Sequence, residues 1–126
     1  MKILVVDDEV DVQPMFLQRF RHEIKNGEFE FAFALSGVEA LKYLEQNHEE
    51  THLILSDINM PGMSGLDLLL QIRHDYEKPP PVVMMVTAYG DEQNHETAMH
   101  NGANDFLTKP VDFNALKEKM RQFGEN

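Results

Sequence analysis

Five short segments with the apolar patterns of β-strands alternate along the chain with longer segments in which apolar residues recur at helical spacing. The strand-like segments are residues 3–6, 29–33, 53–55, 82–86 and 105–108. Near-continuous apolar strands that alternate with helices are typical of a parallel sheet covered on both faces. We therefore predict an α/β fold, a (βα)5 doubly wound five-stranded parallel sheet, in one domain over residues 1–126.

The first helical segment is residues 10–25, where Val12, Phe16 and Phe20 follow one another at intervals of four residues. This spacing places the three side chains on one face and predicts a single amphipathic helix. Pro14 is compatible with that helix only near its first turn, where the missing N–H is not needed.

Capping residues mark the starts of three further helices. They are Ser36, Ser64 and Asp112. Glu39 follows Ser36 at the spacing of a capping box. The remaining helix, predicted over residues 91–101, has only a weak apolar face and ends at Gly102, a plausible glycine just beyond a helix end.

Composition excludes several kinds of protein. The net charge of −11 repels nucleic acid and anionic lipid, so we expect no direct nucleic-acid contact by this domain. The first apolar run is stopped by Asp7, and no run approaches the ~20 apolar residues of a membrane span. The chain has no cysteine, which excludes disulfides and thiolate sites. We expect a cytoplasmic protein without a membrane partner.

Chemically distinctive residues follow four of the five predicted strands. They are Asp7 and Asp8, Asp57, Thr87, and Lys109. Right-handed crossovers bring the carboxyl ends of all the strands to one edge of the sheet, where sites form in folds of this kind. Three carboxylates that meet there repel one another, and a hard divalent cation with oxygen ligands would relieve that repulsion.

Each of these residues also has an ordinary explanation. Asp7 or Asp8 could cap the first helix, Asp57 could begin a loop, Thr87 could end a strand, and Lys109 could be a solvated surface residue. Four such coincidences at four strand ends are improbable. The combination therefore favours a functional site.

Four segments, in this order and separation, resemble the receiver domain of bacterial two-component response regulators. They are residues 5–9 (VVDDE), 57–65 (DINMPGMSG), 86–88 (VTA) and 107–110 (LTKP). The resemblance covers the whole chain and implies the flavodoxin-like receiver fold. It also implies a phosphorelay signalling function.

The resemblance implies a role for each residue of the site. Asp57 would accept a phosphoryl group from a sensor histidine kinase or a phosphotransfer protein. Asp8 and Asp57 would bind Mg²⁺ directly, Asp7 would bind it through water, and the backbone carbonyl of Asn59 would complete the protein ligands. Lys109 would neutralise charge on the phosphoryl oxygens. Such a protein is a phosphoacceptor that assists its own phosphorylation and dephosphorylation, rather than an enzyme.

The resemblance also implies a conformational switch. Thr87 would donate its hydroxyl to a phosphoryl oxygen, and Ala88 would offer its backbone N–H. Phe106 stands at the position of an aromatic switch residue, although it lacks the hydroxyl of the frequent tyrosine. The surface formed by residues 91–101, the last strand and the last helix would change with it. This surface would control an output domain or effector protein and would allow a phosphorylation-dependent homodimer.

Two finer expectations follow from the same resemblance. Tyr89 and Asn59 would face the attacking water, and we hypothesise that the bulk of Tyr89 shields the acyl phosphate. The Lys109–Pro110 peptide bond is expected to be cis, whereas sequence alone favours trans.

Three other functions remain as alternatives. Residues 48–52 match the H-E-x-x-H motif of zinc proteases, but that motif requires one continuous helix and residues 53–55 have the pattern of a strand. A phosphohydrolase with an aspartyl-phosphate intermediate would need a carboxylate where Asn59 stands, and a nucleophile after the first strand. A phosphorylation-independent pseudo-receiver would normally lack one of the acidic, threonine or lysine residues, and none is missing here.

Overall fold

The computed structural model describes residues 1–76, 81–88 and 92–124, so the prediction for Tyr89 lies outside the described residues. The strands are β1 (Lys2–Val6), β2 (Glu30–Ala34), β3 (Leu53–Asp57), β4 (Val82–Thr87) and β5 (Asp105–Thr108). The helices are α1 (Val12–Arg19), α2 (Arg21–Lys25), α3 (Gly37–Asn47), α4 (Gly65–Asp75), α5 (Glu92–His100) and α6 (Phe113–Gly124). None of these helices, within the described ranges, is long and apolar enough to cross a membrane.

The five strands form one parallel sheet in the order β2-β1-β3-β4-β5. The predicted doubly wound (βα)5 sheet is therefore confirmed. Because β1 and β3 are neighbours and β4 and β5 complete one side, the ends of β1, β3, β4 and β5 lie next to one another along one edge.

Both faces of the sheet are buried, and alternate residues of each strand point to opposite faces. In β1, Leu4 and Val6 join the core under α3 and α4, whereas Ile3 and Val5 join the core under α1 and α6. All four side chains are nearly inaccessible to solvent. This two-sided burial explains why the strands appear in the sequence as continuous apolar runs.

The predicted caps hold their helices as expected. The Ser36 and Ser64 hydroxyls accept hydrogen bonds from the backbone N–H groups of Glu39 at 3.1 Å and Asp67 at 3.2 Å. Asp112 Oδ1 accepts from the N–H groups of residues 114 and 115 at the start of α6. Gly102 has a φ of 101°, a left-handed conformation that suits glycine beyond a helix end.

The prediction of one helix over residues 10–25 is wrong. The chain forms α1 and α2, separated at Phe20, whose φ of −108° and ψ of 24° are not helical. The i to i−4 hydrogen bonds still run through the break, from Phe20 N–H to Phe16 and from Ile24 N–H to Phe20. Phe20 is fully buried against a group of phenylalanine rings, so its tertiary packing overrides the regular helical geometry.

Candidate functional site

Three aspartates meet at the carboxyl edge of the sheet. Asp7 and Asp8 follow β1, and Asp57 is the last residue of β3, the next strand in the sheet. One carboxylate oxygen from each lies within 4.8 Å of the other two. Neither Asp7 nor Asp8 caps α1, because the N-cap position is Asp11 and carries no side-chain cap bond. Asp7 instead accepts the backbone N–H of Glu9 at 2.9 Å.

Asp57 is nearly buried, and both of its carboxylate oxygens have partners. Lys109 Nζ lies 2.8 Å from Asp57 Oδ2, and the backbone N–H of Asn59 donates to Asp57 Oδ1 at 3.3 Å. The Asp57 side chain is 5% exposed and that of Lys109 is 39% exposed. Lys109 is brought to this position by the end of β5, where its backbone N–H donates to the Thr87 carbonyl. The Lys109–Pro110 bond is cis, which confirms that prediction.

The close approach of these charges shifts two pKa values. Partial burial raises the pKa of Asp7, and repulsion by the Asp57 carboxylate adds to the increase, whereas the hydrogen bond from Glu9 N–H opposes it. Partial burial disfavours the charged form of Lys109, but the hydrogen bond and attraction to Asp57 outweigh it, so the pKa of Lys109 is raised. The site therefore keeps a positive lysine beside an excess of carboxylates.

Thr87 ends β4 beside Asp57, and its side chain is buried. Its hydroxyl donates to the carbonyl of Leu107 on β5 at 3.3 Å. Phe106, the residue before Leu107, is half-buried. Its ring lies against His95 of α5, with centroids 3.4 Å apart. Ala88, the next residue after Thr87, is exposed at the same edge.

Gly65 has a steric role that sequence analysis did not identify. A Cβ atom at this position would collide with the backbone carbonyl oxygen of Asp57 and would lie 2.8 Å from the Cα of Ile58. The N–H of Gly65 donates to the Ile58 carbonyl at 2.8 Å. The loop from β3 to α4 thus packs directly on the backbone of the phosphoacceptor candidate. The position of this glycine after the Ser64 cap gives no signal for the contact, because Gly37 follows the Ser36 cap in the same way and would meet the side chain of Met63 instead.

A groove of about 560 Å³ opens beside Asp57 and Lys109. Apolar residues form most of its wall. They come from α1, from the carboxyl ends of β1, β3 and β4, and from the segment between Lys109 and the start of α6, and they include Met15, Phe16 and Phe113. Phe16 is buried and Met15 is substantially exposed. The acidic site is therefore continuous with an apolar surface large enough for side chains of another molecule.

The zinc-protease alternative fails on geometry. His48 follows the last residue of α3, and His52 directly precedes β3, so the two imidazoles do not share a helix. The Nδ1 atom of His52 accepts the backbone N–H of Lys2 at 3.1 Å, and the His48 ring stacks on Tyr76. In the described part of the chain, the group of carboxylates or imidazoles suited to a metal ion is Asp7, Asp8 and Asp57.

Comparison with known proteins agrees with this geometry. Residues 3–121 match the family model of the response regulator receiver domain. The chain belongs to this family. It is 35% identical to chemotaxis protein CheY1 of Helicobacter pylori over 123 residues, which cover 95% of this chain and 94% of that protein. It is 38% identical to the transcriptional regulatory protein ResD of Bacillus subtilis over 113 residues, which cover 86% of this chain and 42% of ResD.

Solved receiver structures have the same fold. A response regulator receiver protein from Pseudomonas putida superposes with a TM-score of 0.82 at 30% identity, covering 96% of this chain and 95% of that one. The receiver domain of Ssk1 of Saccharomyces cerevisiae, solved together with the histidine phosphotransfer protein Ypd1, superposes with a TM-score of 0.83 at 27% identity, covering 98% and 88%. The chain is therefore a signalling domain of the two-component type. Receiver domains generally bind Mg²⁺ at an acidic pocket, and this chain has a cluster of aspartates there.

Proposed function

We propose that this receiver domain accepts a phosphoryl group on Asp57 in a Mg²⁺-dependent reaction. The observation that carries the proposal is the arrangement around Asp57, a nearly buried carboxylate with Lys109 Nζ at 2.8 Å and the Asp7 and Asp8 carboxylates within 4.8 Å. A carboxylate that attacks phosphorus forms an acyl phosphate, a covalent and hydrolysable product.

The donor set fits a magnesium ion. Its side chains are all carboxylates, and hard cations such as Mg²⁺ prefer oxygen ligands. Burial and the nearby Asp57 raise the pKa of Asp7, which marks an excess of negative charge that a divalent cation would offset. Asp8 and Asp57 would hold the ion directly, Asp7 through water, and Asn59 by its backbone carbonyl. When bound, the ion would neutralise charge on the transferring phosphoryl oxygens.

The protein's own groups would stabilise the transfer as follows. One oxygen of Asp57 attacks phosphorus in line with the bond to the leaving group, which departs with the electron pair of that bond. Lys109 exchanges its contact with Asp57 for one with a phosphoryl oxygen and keeps its positive charge. The Thr87 hydroxyl and the Ala88 N–H donate to the other oxygens. Lys109 and Thr87 thus act by position and charge, and this signalling protein assists its own modification.

The same contacts would operate the switch. The Thr87 hydroxyl is bonded to Leu107 and must leave that acceptor in order to reach a phosphoryl oxygen. Its movement would open space into which the ring of Phe106 turns. The surface formed by α5, β5 and α6 changes as a result, which is a two-state element biased by a local charge.

The partners would be those of a phosphorelay. A sensor histidine kinase or phosphotransfer protein would supply the phosphoryl group. Apolar side chains of that partner would pack in the groove beside Asp57. The structure of Ssk1 with Ypd1 supports this kind of partner. The switched surface would control an output domain or effector protein and would permit a phosphorylation-dependent homodimer. The net charge of −11 disfavours contact with nucleic acid and with membrane surfaces. The proposal is for one receiver domain over residues 1–126 that acts in the cytoplasm.

Phosphate lifetime would depend on the two residues that face the attacking water, Asn59 and Tyr89. If the ring of Tyr89 shields the acyl phosphate, Tyr89→Ala increases the dephosphorylation rate. An unchanged rate would contradict this role. The variant is compared with the wild type by loss of radiolabel in excess Mg²⁺ after the donor is removed.

Intact mass measurement tests the proposal. The protein is incubated with acetyl phosphate with and without Mg²⁺, alongside Asp57→Asn and the matched control Asp67→Asn, which alters an exposed aspartate on α4. One added phosphoryl group is expected in the wild type and in the control when Mg²⁺ is present. Its absence with this donor and also with a phosphorylated histidine kinase would favour a phosphorylation-independent interaction module.

A further inference from the structure

We infer that His95 is a positioning residue for the switch and that the contact of its imidazole with the Phe106 ring holds Phe106 in its resting orientation. The inference rests on the proposed function, since it assigns the resting partner of the residue that is proposed to turn. The ring centroids of His95 and Phe106 are 3.4 Å apart, with an interplanar angle of 34°. Both side chains are half-buried.

The identity of residue 106 makes this contact important. A tyrosine can anchor either orientation by a hydrogen bond from its hydroxyl, whereas Phe106 cannot. The balance between its two orientations is therefore set by what the ring packs against in each. In the structure its aromatic partner is the His95 imidazole. A contact that exists in only one of the two orientations shifts the balance between them.

The attachment of α5 to the rest of the domain makes the same contact a link to the output surface. Among the side chains of α5 that the structure describes, only Ala98 is buried. Ala98 packs into the core with residues of α4 and β4, and the buried Ala103, beyond the helix end, donates its N–H to the Ala98 carbonyl at 3.0 Å. The contact between His95 and Phe106 joins the first half of α5 to β5. When Phe106 turns inward, this half of the helix loses that contact.

Phosphorylation would be transmitted through two adjacent residues of β5. The Thr87 hydroxyl is bonded to the Leu107 carbonyl, and the preceding residue, Phe106, carries the ring that rests on His95. A phosphoryl group that draws Thr87 away from Leu107 and a substitution that removes the ring at position 95 would favour the same state. The substitution should therefore increase the affinity of the domain for a phosphoryl group or its mimic.

The test is the affinity of the Mg²⁺-loaded protein for beryllofluoride, a phosphoryl mimic, followed by NMR titration. His95→Ala removes the ring that contacts Phe106, His95→Phe retains an aromatic ring, and His100→Ala is a matched control on the last turn of the same helix. We expect His95→Ala to bind about two- to ten-fold more tightly than the wild type, the range that loss of one aromatic pair corresponds to. His95→Phe and His100→Ala are expected to bind like the wild type.

The inference would be overturned if His95→Ala bound beryllofluoride no more tightly than the wild type. It would also be overturned if His95→Phe bound more tightly than the wild type, or if His100→Ala gained as much affinity as His95→Ala. A second measurement needs no variant. In the wild type the His95 ring protons should lose the ring-current shift from Phe106 when beryllofluoride binds, and unchanged resonances would overturn the inference. If the wild type fails to bind beryllofluoride at all, the proposed function itself is contradicted, and the inference that rests on it fails too.

Discussion

Replacing Gly65 by alanine tests how closely the β3–α4 loop must pack on Asp57, the proposed phosphoacceptor. The added Cβ would meet the Asp57 carbonyl oxygen and the Cα of Ile58, both of them backbone atoms that cannot move aside by a side-chain rotation. The loop must therefore shift, which strains the hydrogen bond from Gly65 N–H to the Ile58 carbonyl. Overpacking and a weakened buried hydrogen bond together cost about 2–4 kcal/mol of unfolding free energy.

Gly37 provides a matched control for this substitution. Like Gly65, it is buried and is the first residue of a helix after a serine N-cap. A Cβ at Gly37 would meet the side chain of Met63, with the sulfur at 2.8 Å, and that flexible side chain can move away. Because alanine also restricts the unfolded chain, we expect Gly37→Ala to stay within about 1 kcal/mol of the wild type.

Urea unfolding of the two variants and the wild type gives the comparison. We expect Gly65→Ala to be less stable than Gly37→Ala by about 2–3 kcal/mol and to be phosphorylated more slowly, because the backbone of Asp57 is displaced. A difference below about 0.5 kcal/mol, within the error of such experiments, would refute the conclusion that backbone contact fixes glycine at position 65.

Two further predictions concern charge. Burial raises the pKa of Asp7 on folding, so its ionised form costs stability above that pKa, and the cost disappears as the pH falls below the ordinary aspartate value of 3.8. Asp7→Asn should therefore raise the melting temperature at pH 7 in metal-free buffer, and should raise it less at low pH or with Mg²⁺. An equal gain in melting temperature under all conditions would contradict this cause. Arg73 donates to the Gly102 and Pro81 carbonyls, so Arg73→Met should lower the unfolding free energy by about 2 kcal/mol. Arg121→Met removes only an ion pair with Glu28 at the surface and should lower it by at most about 1 kcal/mol. Equal losses of unfolding free energy in urea would contradict the reasoning.

The sequence was sufficient for the order of the elements and for the residues at the edge of the sheet. Continuous apolar runs predict strands buried on both faces, and parallel topology then brings their ends together without any knowledge of distances. This is why Asp7, Asp8 and Asp57 could be expected to meet, as they do within 4.8 Å. The cap at Ser36 depends only on residues three positions apart, so it too could be predicted.

What the sequence did not predict depends on contacts between distant segments. The break at Phe20 arises because its ring packs against phenylalanines of β2 and α6, and periodicity within one helix contains no sign of that. The need for glycine at position 65 depends on how closely one loop approaches the Asp57 backbone. The ring contact between His95 and Phe106 joins two elements that share no local pattern.

The central claim is that Asp57 itself receives the phosphoryl group, and locating the modification tests it most directly. After incubation with acetyl phosphate and Mg²⁺, borohydride reduces an aspartyl phosphate to homoserine, which peptide mass spectrometry places in the sequence. We predict homoserine at position 57, and none when Mg²⁺ is omitted. Homoserine in place of another aspartate would contradict the account, as would phosphorylation of the Asp57→Asn variant.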